Sequence, residues 1–224
     1  MNALRPIDSL RSLRPDGGGR GQVVVMHNFS RSFLQALYVM RHGHSEANAQ
    51  HLIASDPALG AAAHGLTERG RIQVAHHVNT WKRDIGSDVG GEIYCSPFLR
   101  ACGTASIASE LLEWPIVAQV PALRERFFGD LDQQDDTKYA RVWAQDELDP
   151  AQTLRHVESV LQVRDRVLDF LITLTATFHG QPMLLITHGD TASILLTTLR
   201  QEDLRQHRRF GALSTAQIQR CIIA

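Results

Sequence analysis

Little in this sequence points to a disulfide scaffold, a membrane or a polyanion. It holds only 3 cysteines, Cys95, Cys102 and Cys221. That number is too small and too odd for a disulfide framework, and it favours a reducing compartment, with the cytoplasm as the expected location. No apolar stretch approaches the ~20 residues needed to span a bilayer, so no membrane partner is expected. Charge of one sign is also lacking, since 23 Lys and Arg face 24 Asp and Glu for a formal net charge of −1. A chain so balanced has no global field to attract nucleic acid or acidic lipid. Any anion site has to be local. Beyond residue 35 there is neither an internal repeat nor a low-complexity tract.

What is present is enough apolar sequence, 43% of 224 residues, to bury a sizeable core in one domain or one domain with an appendage. The appendage is the leader, residues 1–35. It carries Arg5, Arg11, Arg14, Arg20 and Arg31 against Asp8 and Asp16, and Asp16-Gly-Gly-Gly-Arg-Gly21 is a flexible break. The expectation is a flexible extension over 1–35 and a folded domain over 36–224. An arginine-rich, acid-poor leader also fits an organelle transit peptide, or sequence upstream of a start at Met26.

Within the domain one local grammar recurs. Leu37 to Met40 reads as a buried strand and runs into Arg41-His42-Gly43. Glu92 to Cys95 runs into Ser96-Pro97-Phe98-Leu99-Arg100, and Met183 to Thr187 into His188-Gly189-Asp190. A helical pattern follows each polar break: a short helix over Ser45 to His51, one from Pro97 to about Glu113, and one over Thr191 to Leu199. Thr67 is a plausible N-cap for a further helix running to about Arg83. Trp114 to Pro121 reads as a short strand, Thr215 to Ile223 as a last one, and Leu154 to Phe178 has helical apolar spacing. Strands alternating with helices predict an α/β fold, a three-layer α/β/α sandwich around a mainly parallel sheet. In such a sheet the carboxyl ends of the strands share one edge, where ligands bind. All the polar breaks would meet there. Between Ala122 and Pro150 the sequence turns irregular, acidic and aromatic, with Phe127, Phe128, Tyr139 and Trp143, and reads as a lid over that edge.

These residue types suit phosphoryl transfer, which asks a protein mainly for positioning and positive charge. Arg41 and Arg100 each offer a fork of N–H donors matched to phosphate, and His188 adds another donor. A neutral imidazole at His42 can attack phosphorus and split one displacement into two through a phosphohistidine. Glu125, in Leu123-Arg124-Glu125-Arg126-Phe127-Phe128-Gly129, is the candidate acid for the departing alkoxide, because a carboxyl covered by aromatics keeps its proton near neutral pH.

Taken in order, Arg41-His42-Gly43-His44-Ser45-Glu46-Ala47-Asn48, Leu66-Thr67-Glu68-Arg69-Gly70, Ser96-Pro97-Phe98-Leu99-Arg100-Ala101 with Thr104, Leu123-Arg124-Glu125-Arg126 with Gly129, Glu158-Ser159-Val160 and Thr187-His188-Gly189 resemble the ordered blocks of the histidine phosphatase superfamily, the phosphoglycerate-mutase-like branch. The resemblance covers residues 37 to about 200. It implies His42 as nucleophile, a phosphate pocket of Arg41, Arg100 and His188, and Glu125 as proton donor. Asn48 matches a pocket residue of the mutase-like members, Ser45 and Thr67 fall near the bound group, and Gly43 and Gly189 allow close backbone approach. It implies no metal and no cofactor, and a small phosphorylated substrate as partner.

Hydrolase and mutase differ in what accepts the phosphoryl group, water or a phosphoglycerate. Glu125-Arg126 resembles the Glu-Arg pair of the mutases, which puts Arg126 among the substrate-binding candidates. Other mutase features are missing: Phe128 replaces a tyrosine, an acidic run from Asp130 to Asp136 replaces an expected lysine, and no Arg-Arg pair follows. Phosphatase is therefore the expected activity, with mutase and a catalytically weak phosphate-pocket binding protein as alternatives. A cysteine-dependent phosphatase would use Cys95 and Arg100, but Cys-x4-Arg is one residue short of that loop. His42-x-His44 with His76-His77 offers a metal hydrolase, which adjacent Arg41 disfavours.

Overall fold

The computed structural model describes residues 29–86 and 88–221. Its chain order is α1 (Arg31–Ala36), β1 (Leu37–Arg41), α2 (Glu46–Ala49), α3 (Pro57–Gly60), α4 (Glu68–Ile85), β2 (Glu92–Cys95), α5 (Leu99–Leu112), β3 (Ile116–Gln119), α6 (Tyr139–Leu148), α7 (Val160–Thr175), β4 (Met183–Thr187), α8 (Gly189–Leu199), α9 (His207–Phe210) and β5 (Ile218–Arg220). No helix among the described residues is long and apolar enough to cross a membrane.

The sheet order is β3-β2-β4-β1-β5, parallel except for β5, which pairs antiparallel with β1. Side chains on a strand alternate between faces, and both faces here are covered. Leu37, Val39, Tyr94, Met183 and Leu185 point into one core with Leu168 and Leu171 of α7 and Ala192 and Leu195 of α8. Their neighbours Tyr38, Met40, Ile93, Cys95, Leu184 and Ile186 point the other way, against Val74, Val78 and Trp81 of α4 and Ala101, Ala105 and Ala108 of α5. That alternation is why the central strands are apolar at every position but Arg41, Glu92 and Thr187 at their ends, and it gives the three layers that were expected.

Several boundaries differ from the sequence reading. The folded domain begins earlier than residue 36. Ser30 caps α1 through a bond from the Phe33 N–H, and Phe29, Phe33 and Leu34 are buried in the first core. Residues 1–28, with the candidate start at Met26, lie outside the described residues. Pro97 precedes α5 rather than occupying its first turn, because the Phe98 N–H is taken by Ser96 Oγ and the helix starts at Leu99. The stretch from Leu154 splits into a 3-10 turn over Leu154–His156 and α7, which Ser159 and Gln162 open with a reciprocal capping box.

The lid segment is ordered rather than irregular. It contains α6, and Phe128, Leu131 and Val142 form a small core of their own with Ile53 and Val157. The acidic run has structural uses: Asp132 accepts the N–H groups of Ser55 and Asp56, and Asp135 caps the turn at Thr137. Arg126 pins the segment to the main body. Its guanidinium is fully buried, forms a two-pronged bond to Asp146 on α6 at 2.6 and 2.8 Å, and reaches Asp190 on α8 at 3.3 Å. Removing one partner of a buried ion pair leaves the other uncompensated, at a cost of about 3–5 kcal/mol. Arg126→Met is expected to lose stability of that order in chemical denaturation, whereas a loss under ~1 kcal/mol would show that the tie is weak.

Candidate active site

Pairing puts three strand ends side by side. Arg41 is in register with Thr187, and Cys95 with Ile186. The ladder continues one step past each strand, with the His42 N–H donating to Thr187 O and the Ser96 N–H to Ile186 O, both at 2.9 Å. His42, Ser96 and His188 thus leave the sheet together. A cavity of about 180 Å³ opens at this edge, and Arg41, His42, Ser45, Asn48, Arg100, Glu125 and Gly189 all contribute to its wall. It is smaller than the ~300–1,000 Å³ of a site that engulfs a drug-sized ligand. It suits the head group of a substrate.

His42 is 3% exposed, and its Nδ1 lies 2.7 Å from the Gly43 carbonyl oxygen. A carbonyl only accepts, so Nδ1 carries the hydrogen and Nε2 is left as a bare lone pair, meeting Arg100 Nε–H at 3.1 Å. Burial, then the charges of Arg100 and Arg41, hold the imidazole pKa well below its usual 6.5. The ring is therefore neutral across the physiological range. Gly43 is required here by space: a Cβ on it would sit 2.7 Å from both the Gly70 carbonyl oxygen and Val74 Cγ2. Gly189 meets no such clash within the chain, since a Cβ there would only touch Arg41 at 3.5 Å. Its contribution is its N–H, which bonds Glu125 Oε2.

Around this ring several donors lack partners. Arg41 bonds Leu213 O through Nη1, and Arg100 bonds Ala54 O through Nη2, but Arg41 Nε, Arg100 Nη1 and His188 Nδ1 are buried with no acceptor. An unsatisfied buried donor costs about 1–3 kcal/mol. A cluster of them calls for a group rich in acceptors, such as phosphate. His188 is fully buried behind the cavity wall; its ring centroid is 5.0 Å from that of His42 and its Nε2 is 2.7 Å from Ser96 Oγ. Ser96 Oγ accepts the Phe98 N–H, and donating its own hydrogen to Nε2 leaves Nδ1 as the protonated nitrogen.

Glu125 is 7% exposed and has a raised carboxyl pKa, first from burial and then from the charge of Asp190, with Arg100 and Arg41 opposing. Its Oε1 accepts the Arg126 N–H at 2.9 Å, and its Oε2 the Gly189 N–H at 3.1 Å. Glu158 holds the loop that carries it. That carboxylate takes two bonds from Arg124, further bonds from Arg166 and the Phe127 N–H, and is pulled down to about 2, burial opposing and the arginines winning.

Two of the expected contacts fall elsewhere. Thr67 caps α4 through Oγ1 and bonds His44 Nδ1 at 2.9 Å, outside the cavity. Arg126 is sequestered between Asp146 and Asp190, so the expectation that it meets substrate is corrected. Ser45 caps α2, and Asn48 Oδ1 accepts from Ser45, which leaves the Asn48 amide hydrogens free to donate. Cys95 is 1% exposed, and its pairing with the Cys102 thiol, then burial, push its own thiol far up, which removes it as a nucleophile. Sequence reading missed Asp190 and Arg208, both in the cavity wall. Arg208 bonds Asp190 at 3.1 Å and lies 4.2 Å over the Trp143 ring, which in turn stacks on Tyr139. No local pattern marks Arg208. Asp190 was in view only as the residue after His188-Gly189.

The two buried neutral histidines make stability depend on pH. The pKa values of His42 and His188 are both well below 6.5 in the fold, burial being the main cause. The unfolded chain therefore takes up their protons as pH falls through 6.5 while the fold does not. Stability is complete above that value and declines below it, by up to about 1.4 kcal/mol per pH unit for each ring. Glu125 works the opposite way above about 4.5, so the cleanest comparison is in Glu125→Gln. There, urea unfolding is expected at a lower midpoint at pH 5.5 than at pH 7.5, with a smaller difference once His42→Gln is added. An equal difference would mean that His42 titrates normally.

The family description "Histidine phosphatase superfamily (branch 1)" matches residues 37–223. An adenosylcobalamin/alpha-ribazole phosphatase of Escherichia coli (strain K12) is 28% identical over 170 residues, covering 73% of this chain and 78% of the relative. An uncharacterized phosphatase of Bacillus subtilis (strain 168), PhoE, is 25% identical over 170 residues, covering 76% and 80%. Among solved structures, the alpha-ribazole phosphatase of Shigella flexneri superposes with a TM-score of 0.62 at 25% identity, over 81% of this chain and 87% of that one. The mycobacterial glucosyl-3-phosphoglycerate phosphatase has a TM-score of 0.67 at 19% identity over 81% and 87%, a likeness of fold alone. The chain belongs to the histidine phosphatase superfamily, branch 1, and its matched curated relatives are phosphatases.

Proposed function

We propose that this chain hydrolyses small phosphomonoesters through a phosphohistidine on His42 Nε2. The observation that carries the reading is the state of that ring: buried, neutral, with its Nδ1 hydrogen committed to Gly43 O and its Nε2 lone pair turned to Arg100. In the first step Nε2 forms a bond to phosphorus as the ester P–O bond breaks. Arg100 Nε then turns from Nε2 to a phosphoryl oxygen, joining Arg41 and His188 in balancing charge on the equatorial oxygens. Glu125 gives its proton to the departing alkoxide. In the second step a water attacks the phosphohistidine, the Glu125 carboxylate takes the water proton, and inorganic phosphate leaves with both groups restored.

The mutase alternative loses support from the lid. Its Glu-Arg pair needs a cation facing the substrate, whereas Arg126 is held inside by Asp146 and Asp190. Asp136 and Asp190 sit in the cavity wall and would repel the carboxylate of a phosphoglycerate. A small phosphorylated substrate is the fitting partner. A screen should include alpha-ribazole phosphate and glucosyl-3-phosphoglycerate, for which the relatives are named.

Rapid-quench labelling with a 32P-phosphomonoester is expected to give an acid-labile, base-stable label in the wild type and none in His42→Ala, with turnover lost as well. Label retained in His42→Ala sinks the reading. Glu125→Gln should slow alkyl phosphates about 10²–10⁴-fold, the usual worth of a positioned acid, and nitrophenyl phosphate much less. Equal loss on both substrates would remove Glu125 from the acid role.

A further inference from the structure

A larger cavity, about 540 Å³, lies on the far side of α6 from the catalytic site, within the size range of small-ligand pockets. Its floor is apolar and already desolvated: Leu131 is 6% exposed, Val142 6% and Val157 2%. Its rim is cationic, with Lys138, Arg141 and Arg155, and no carboxylate lines it among the described residues. Neither Arg141 nor Arg155 makes a side-chain hydrogen bond or ion pair among those residues. In a chain of net charge −1, three cations around an apolar hollow are a local choice. The same rim argues against other occupants. Two copies meeting face to face here would oppose like charges, and the leader, with Arg5, Arg11, Arg14 and Arg20, would bring more positive charge.

We infer that this cavity is a second ligand site, separate from the catalytic one, for a small organic acid: an aliphatic or aromatic body on the Val142 and Val157 floor, and a single carboxylate, sulfonate or phosphate on the Arg141 and Arg155 rim. The apolar body packs on that floor and covers Leu154, an exposed apolar side chain of the wall, and the two unpaired guanidinium groups select the anion. Helix α6 separates the two sites, with Val142 facing this cavity while Tyr139 and Trp143 line the catalytic one.

The probe is 8-anilinonaphthalene-1-sulfonate, titrated by fluorescence into the full chain with the catalytic site saturated by orthovanadate. One saturable site is expected. Arg141→Glu with Arg155→Gln should weaken it about tenfold, equivalent to about 1.4 kcal/mol, and Ala144→Trp, on the exposed wall, should abolish it by filling the space. Hydrolysis of nitrophenyl phosphate should be unchanged in both variants, which also reports that they are folded. Displacement of the probe by orthovanadate, or full binding in the charge variant, would overturn the assignment. If Ala144→Trp fails to fold, the charge variant still decides. Because the two sites share no side chain named in either test, loss of the catalytic reading would leave this one standing.

Discussion

The hydrogen bond from His42 Nδ1 to the Gly43 carbonyl, 2.7 Å long, is the contact on which the site depends. It fixes the tautomer, and with it the direction in which the one bare nitrogen lone pair of the ring points. Burial and two guanidinium groups then keep that lone pair unprotonated. The segment just past β1 packs closely on α4, and it fits there only because residue 43 has no side chain to meet Gly70 and Val74. A strand end, a glycine and an imidazole are one unit. Arg41 and Arg100 are tolerated beside it because each has one carbonyl to bond, while their unpartnered nitrogens store the drive to accept an anion.

A second layer of charge holds the Glu125 carboxyl opposite His42. Glu158 gathers Arg124 and Arg166 beneath the Glu125 loop, and Arg126 ties the loop to both α6 and α8. Asp190 is the one member of these arrangements in the cavity wall, yet together they place a desolvated carboxyl against the Gly189 N–H. Precision of this kind comes from supporting contacts on rigid elements more than from the reacting groups themselves. Phe128 belongs to the same support. Its ring packs in the small core with Ile53 and Val157, which adds to the hold of Arg126 on the lid.

Strand ends carrying Arg, His and Gly were legible in the sequence because a parallel sheet allows them only one destination. The apolar runs of β1, β2 and β4 were legible for the same reason, being buried on both faces. Thr67 and Arg126 lay in blocks that look functional, but a threonine before a helix satisfies N–H groups, and an arginine near two distant carboxylates is claimed by them. Asp146 and Asp190 are far from Arg126 in sequence, so nothing local announced the pair. Arg208 is hidden likewise: its partners Trp143 and Asp190 meet it only in three dimensions. Helix α1 falls within the arginine-rich leader by composition, and only the packing of Phe29 and Phe33 in three dimensions assigns it to the fold.

The central claim is a double displacement at phosphorus through His42, and the stereochemical course tests it most directly. A phosphomonoester chiral through 16O, 17O and 18O is allowed to transfer its phosphoryl group to an acceptor alcohol added in place of water. Two in-line displacements, each inverting, give overall retention of configuration, which is the predicted result. Inversion would mean a single direct attack on phosphorus, and would contradict a phosphohistidine on His42.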